Sequence, residues 1–374
     1  MAISVRVMRF MKMKFVKREN ISKNKEVSIR IIAILLAFVV MGILFAALKC
    51  NPISVYISMF KGAFGGPNPI KQTINSAIPL AITALGIAIG LKLKYYNIGG
   101  EGQIIMGAFG AALVAFHFPN MPAPILIILM FASGILFSGI WGFIPGFFKV
   151  KWRANETITT LMMNYIALKF VTYLQYGPWK DPSSLGFPKM PNFSSNAILP
   201  SVFGVHIGWI IAILLAIFVY IFLNHTKTGY EISVIGESEN TAKYAGIGIK
   251  KTTLIAIVLS AVFCGITGVI QSSAIEQTLS TEITGGVGYT GIIIAWISNL
   301  NPVVSILVSI LFAGLLQGGS FIQTAFGIPN SVASILQSVI LFFVLGSEFF
   351  IRFRLSKGDV NENDNENKKV VNEV

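Results

Sequence analysis

A chain of 374 residues that is 54% hydrophobic and 12% charged, with a mean hydropathy of +0.72, carries too much apolar surface for a water-soluble domain of its size. Its net charge of +13 would suit a nucleic-acid partner only if the cations shared one folded face; they lie instead in short segments between apolar runs. The composition reads as an all-α, polytopic integral membrane protein and argues against nucleic-acid binding.

The chain opens on a basic segment, residues 1–30, with nine Lys/Arg from Arg6 to Arg30, and then enters an apolar run from Ile31 to Leu48. This predicts a first span with a cytoplasmic N-terminus. Cys50 follows that run as a lipoprotein cysteine would, but Lys49 stands where a small residue is needed, so an uncleaved span is expected. Cys264 is far away in sequence, and neither a disulfide framework nor a metal site is implied. Nine further spans are predicted: Thr73 to Leu91, Ile98 to Phe118, Pro124 to Phe148, Thr157 to Leu174, Ile207 to Leu223, Thr253 to Gln271, Val287 to Leu300, Val303 to Gly318 and Val332 to Phe350.

Ten crossings return the C-terminus to the cytoplasm, and charge supports the count. About 23 Lys/Arg fall on the predicted inner side and about five, Lys49, Lys61, Lys71, Lys180 and Lys189, on the outer. The eighth span is short for a hydrocarbon core about 30 Å thick, yet a turn back there would put Arg352, Arg354 and Lys357 outside. Gly100 to Gly107 can be laid on Gly288 to Ala295, and Asn155-Glu156 on Asn330-Ser331, with opposite directions of crossing; chance likeness of apolar helices is the competing reading of two five-helix inverted repeats. The transmembrane domain is thus 31–352, with an outer loop at 175–206 and a cytoplasmic segment at 225–252. The polar residues 353–374 are expected to be a disordered cytoplasmic tail.

Polar residues inside this apolar chain are the candidate functional groups, because a charge at the centre of a membrane helix costs roughly 2.5 to 3.5 kcal/mol. Asn97, Glu101 and Gln103 stand at the head of the third span. They are read either as an N-cap with an anion at the positive helix end near the cytoplasmic boundary, where water is close, or as gate and substrate-contacting groups. Asn155 and Glu156 are sufficiently explained as N-cap and first-turn acid of the fifth span. Asn164, two turns deeper, has no cap to serve and is the best single candidate for substrate or pathway contact, with interhelical hydrogen bonding as the alternative. In the cytoplasmic segment, Ser238 to Gly246 reads as a two-turn helix with Ser238 as N-cap, Glu239 in its first turn and Gly246 as its stop. Two turns need something to dock on, and Ala242, Tyr244 and Ala245 supply an apolar surface for a cytoplasmic ATPase or for the chain's own membrane domain. No nucleophile or metal motif accompanies the histidines, and no phosphate-binding glycine loop is present, so no catalytic residues are expected.

Tyr96-Asn97-Ile98-Gly99-Gly100-Glu101-Gly102-Gln103, Asn155-Glu156-Thr157-Ile158 leading to Met163-Asn164-Tyr165, Gly236-Glu237-Ser238-Glu239-Asn240 leading to Ala242-Lys243-Tyr244-Ala245-Gly246, and Gly288-Tyr289-Thr290-Gly291 with Asn301-Pro302 together resemble permease subunits of bacterial ABC importers for simple sugars and nucleosides. The resemblance covers most of the chain after its leader and looks closest to the longer nucleoside-type permease; the chain departs from the pattern in its long basic N-terminus and in Gly-Gly before Glu101. It implies a multi-pass protein of the bacterial plasma membrane that binds no cofactor and does no chemistry. ATP and Mg would be used by a separate ATPase with tandem nucleotide-binding domains, a second permease would complete a heterodimer, and a lipoprotein would deliver nucleoside at the outer face. It further implies that Gly236, Glu237, Ser238, Glu239, Ala242, Tyr244, Ala245 and Gly246 couple to the ATPase, and that Asn97, Glu101, Gln103, Asn164, Gly288 and Thr290 line the pathway or its gate. A sugar permease is the runner-up, and an ion-coupled secondary transporter is the reading from another class.

Overall fold

The computed structural model of the chain describes residues 13–17, 22–184, 186–329 and 331–357. Arg6, Arg9, Lys12, Arg18, Asn330 and the tail from residue 358 lie outside the described residues. The chain divides into two compact units, one of Met1–Ile53 with Ser334–Val374 and one of Ser54–Ala333.

In chain order the elements are β1 (Met13–Lys17), α1 (Lys23–Ala47), α2 (Pro52–Phe64), α3 (Pro67–Lys92), α4 (Gly100–His117), α5 (Ala123–Trp152), α6 (Glu156–Tyr176), β2 (Ser201–Val202), β3 (Val205–His206), α7 (Gly208–His225), α8 (Lys227–Glu237), α9 (Glu239–Tyr244), α10 (Ile249–Ile270), α11 (Val287–Ile297), α12 (Pro302–Phe326), α13 (Ser331–Arg352) and β4 (Phe353–Lys357). The fold is mostly helical. Among the described residues seven helices are long and apolar enough to cross a membrane, those at Ser28–Ala47, Pro67–Lys92, Ala123–Trp152, Gly208–His225, Ile249–Ile275, Pro302–Phe326 and Ser334–Ile351. α11 is a shorter apolar helix.

In the terminal unit, β1 and β4 pair antiparallel, Met13 opposite Lys357 and Lys17 opposite Phe353. Residues 353–357, placed by the sequence reading at the start of the C-terminal tail, form β4 of this pair. α1 buries Ala33, Ala37, Met41 and Phe45, one residue per turn, and leaves Ile32, Leu35, Val39 and Ile43 exposed. Such a single buried stripe leaves the rest of an apolar helix without cover inside its own unit.

The larger unit is built around α3, α4, α5 and α10, which bury glycines at their crossings. A Cβ on Gly107 would lie 2.5 Å from the Gly265 carbonyl oxygen, and one on Gly268 would meet the Ile104 carbonyl. Without a hydrophobic force between helices in lipid, such close approach lets dispersion and backbone contacts hold the bundle. α3 is buried nearly all round, whereas α7 buries only Gly208, Ala212, Ala216 and Val219. One is central, the other peripheral.

Each predicted span falls on a helix, but two helices were not foreseen. α2 is amphipathic and packs on α12, where Gly62 leaves room for Phe321 and Gly318 for the Met59 carbonyl. α8 lies in the segment predicted to be cytoplasmic, its Gly236 seated on the Lys92 carbonyl. The predicted outer loop forms a small hairpin, β2 with β3, and is stitched to the segment after α10 by bonds from Phe193 N to the Gln277 carbonyl and from the Thr278 hydroxyl to the Pro191 carbonyl. His206 in that hairpin is buried, which pushes its imidazole pKa below the ordinary value.

Candidate functional site

The end of α3 turns inward. Leu93 N and Tyr95 N both donate to the Gly90 carbonyl, and Tyr95 and Asn97 are buried rather than laid along a surface. α4 consequently begins inside the bundle: a Cβ on Gly100 would sit 3.6 Å from the Ile87 side chain, a residue about 7 Å in from the end of α3 at 1.5 Å per residue.

Asn97 is not the cap of α4. The N-cap is Gly99, which has no side chain to offer. Asn97 instead accepts from Gly99 N at 3.0 Å and donates to Gln103 Oε1 at 3.0 Å and to Ser260 Oγ at 3.3 Å. With Gln103 only 1% exposed, this is a closed polar cluster between α4 and α10.

Glu101 is 6% exposed, so it is not near water as its sequence position suggested. Its Oε1 accepts from Tyr289 N at 3.1 Å, and the Gly288 N–H and the Thr284 side chain also hydrogen-bond the carboxylate. The acid on the first turn of α4 is thus the cap of α11. Two helix N-termini converge on one carboxylate, the arrangement in which a buried anion meets the most partial positive charge. Gly288 is required there, because a Cβ would lie 2.5 Å from Glu101 N, and Gly286, at φ 82°, makes the left-handed turn that admits the chain to α11. Thr290 is buried and bonds back to the Gly286 carbonyl.

Asn164 completes the junction from α6. Its Oδ1 accepts from Gly102 N at 2.8 Å and its Nδ2 donates to the Ile98 carbonyl at 2.9 Å. The residue expected to touch substrate is a clamp on the start of α4, and the interhelical alternative describes its bonds. Asn155 caps α6 as expected, accepting from Thr157 N and Ile158 N, while Glu156 pairs with Lys149 at 2.7 Å.

In the segment predicted to be cytoplasmic, Ser238 Oγ accepts from Thr241 N at 3.2 Å, and Gly246 ends the turn at φ 71°. The three apolar residues expected to share a docking surface divide: Ala242 is buried in the bundle's own core, whereas Tyr244, 94% exposed, and Ala245 lie outside it. Glu237, Glu239, Asn240 and Lys243 border a cleft of about 710 Å³ shared with Lys94 and Arg153.

Residues 70–345 match the family described as branched-chain amino acid transport system, permease component. The chain belongs to this permease family. It is 30% identical over 348 residues to a nucleoside ABC transporter permease protein of Lactococcus lactis, covering 90% of this chain and 95% of that one. It is 28% identical to a guanosine ABC transporter permease protein of Bacillus subtilis, over 87% and 95% of the two chains, and 29% identical to a glucose ABC transporter permease protein of Haloferax volcanii, over 87% and 88%. The protein is accordingly a multi-pass permease component of an ABC transporter, a class whose work requires an ATPase and a substrate-binding protein.

One group of residues escaped the sequence reading. The charge tally passed over Lys169, which lies within the fifth span, and α6 carries it with Tyr165, Tyr173 and Tyr176 on its exposed side. Their spacing of four, four and three residues was the available signal.

Proposed function

We propose that this chain is the membrane-spanning subunit of an ATP-driven importer that takes up nucleosides across a bacterial plasma membrane, delivered by an extracellular lipoprotein. Ten crossings, with both termini cytoplasmic, arise if α4, α6 and α11 cross beside the seven long apolar helices. The observation that carries the reading is a crosswise packing. α3 packs on α11 as α10 packs on α4, and α3 packs on α12 as α10 packs on α5. These are the pairings that two five-helix repeats exchange by a twofold relation, and the residues overlaid in sequence, Gly100 and Gly288, meet face to face at the junction.

In this mechanism the junction of α4 and α11 is the pivot, and Glu101 holds the two repeats together as they rock. The exposed Tyr244 side of α9 receives the motion of a tandem ATPase, and a second permease completes the pathway as a heterodimer. ATP and Mg belong to the ATPase rather than to this chain.

The nucleoside assignment draws on the relatives whose printed names are nucleoside and guanosine permeases, and the glucose permease of Haloferax volcanii favours a sugar as the second reading. Uptake of labelled guanosine and labelled glucose by liposomes holding the complete transporter decides between them. ATP-dependent guanosine uptake supports the proposal. Glucose uptake alone moves the chain to the sugar branch, and uptake without ATP driven by an ion gradient would contradict the importer mechanism altogether.

A further inference from the structure

α6 is packed on one side only. Thr160, Asn164, Ala167, Val171 and Leu174 are buried, while Tyr165 is 56% exposed, Tyr173 65% and Tyr176 63%, with Lys169 exposed among them. Lys169 stands about 20 Å along the helix from its start and about 10 Å from its end, at 1.5 Å per residue. A lysine facing hydrocarbon at such depth costs roughly 2.5 to 3.5 kcal/mol on insertion scales. Reaching the nearer end of the helix is hindered too, because side chains lean toward the helix N-terminus. Among the described residues no acidic side chain pairs with Lys169. Unlike the polar groups around Glu101, this cation has no acidic partner among the described residues, and it shares the exposed side of α6 with Met162 and Ile166 as well as with the tyrosines.

A second helix carries an exposed aromatic residue beside the same junction. Tyr289 of α11 is 45% exposed, and its backbone N–H bonds Glu101, one residue before the Gly102 N–H that Asn164 of α6 holds. Ile292 and Trp296, three and seven residues further on, continue its side of α11 and are half-buried. Aromatic faces, phenol hydroxyls and one ammonium are thus gathered on two helices that meet at the pivot.

We propose that Tyr165, Lys169, Tyr173 and Tyr289 form the substrate-contacting wall of the translocation pathway and that this wall takes a nucleobase of guanine type. Tyrosine rings stack on the base, a sequence-tolerant attraction available from any π face. The Lys169 ammonium donates to the carbonyl oxygen and ring nitrogen acceptors of the base, the pairing that lysine makes with guanine edges. Phenol hydroxyls exchange hydrogen bonds with the ribose. A neutral hexose offers no comparable π face to three aromatic rings. The substrate class rests on the nucleoside reading above, whereas the wall itself rests on Lys169 and the exposed tyrosines.

The test places cysteines on the wall in the complete transporter in liposomes, in a Cys50→Ser background, and measures their modification by a membrane-impermeant methanethiosulfonate. Lys169→Cys and Tyr173→Cys are compared with Ser183→Cys on the outer loop and Ile217→Cys on the apolar side of α7. Both wall cysteines are expected to react within about tenfold of the Ser183→Cys rate and to be slowed about fivefold by guanosine but not by glucose. Rates as slow as that of Ile217→Cys at both positions overturn the wall. Protection by glucose instead overturns the base assignment and leaves the wall standing. Guanosine uptake by the unsubstituted transporter separates the remaining failures: uptake with unprotected, reactive cysteines overturns substrate contact, and absence of uptake overturns the nucleoside reading and with it the base assignment.

Discussion

Two groups of polar residues share the helical bundle of this chain, and they are treated in opposite ways. At the junction of α4 and α11, Asn97, Glu101, Gln103 and Asn164 are buried and bonded to protein partners. Along α6, Tyr165, Lys169 and Tyr173 are exposed. Both groups break an apolar sequence pattern, and on cost alone both would be read as functional. Hydrogen-bond satisfaction divides them: groups whose donors and acceptors are consumed inside the bundle hold it together, and groups left over face whatever moves past it.

The sharpest way to break this division is to crowd the junction. Gly288→Val drives a side chain onto the Glu101 backbone, 2.5 Å away at its first atom, and overpacking of about 3 kcal/mol or more is expected. The transporter should fail to assemble, read as loss of the monodisperse peak on gel filtration. Asn164→Leu comes next. It strands the Gly102 N–H and the Ile98 carbonyl, a loss of about 2 to 6 kcal/mol at about 1 to 3 for each unsatisfied buried group, and the apparent Tm should fall without a change in guanosine KM in the assembled fraction.

Smaller effects are expected further from the junction. Asn155→Ala removes the cap of α6 at a cost of about 1 kcal/mol, a shift of only a few degrees in Tm. Tyr244→Ala alters an exposed ring and should leave Tm unchanged; co-purification of the ATPase should nevertheless be lost, because the ring is the outward side of α9. A Tyr244→Ala protein that keeps its ATPase would remove α9 from the coupling surface.

Much of this was legible in the sequence, for reasons tied to range. The caps at Asn155 and Ser238 close within three residues and could be read directly. The bonds of Asn164 span 62 and 66 residues, so its clamp role could not be inferred from local spacing. Glu101 was recognised as a group wanting helix N–H donors, but its donors belong to α11, 188 residues away. α2 was missed because 13 amphipathic residues give no long apolar run, and Lys169 because one cation vanishes in a window average over an apolar helix. The exposure of α6 on one side, which makes that cation informative, is a property of packing alone.

The central claim, that the Glu101 carboxylate joins the two repeats rather than binding substrate, is tested most directly by the thermal stability of the complete transporter carrying Glu101→Gln or Glu101→Ala. The glutamine keeps an acceptor for the Tyr289 N–H and loses the charge, and the alanine loses both. A graded fall in apparent Tm, larger for alanine, with guanosine KM unchanged in the assembled protein is the predicted result. An unchanged Tm with KM raised about tenfold, or about 1.4 kcal/mol of lost binding, would contradict it and make Glu101 a substrate ligand.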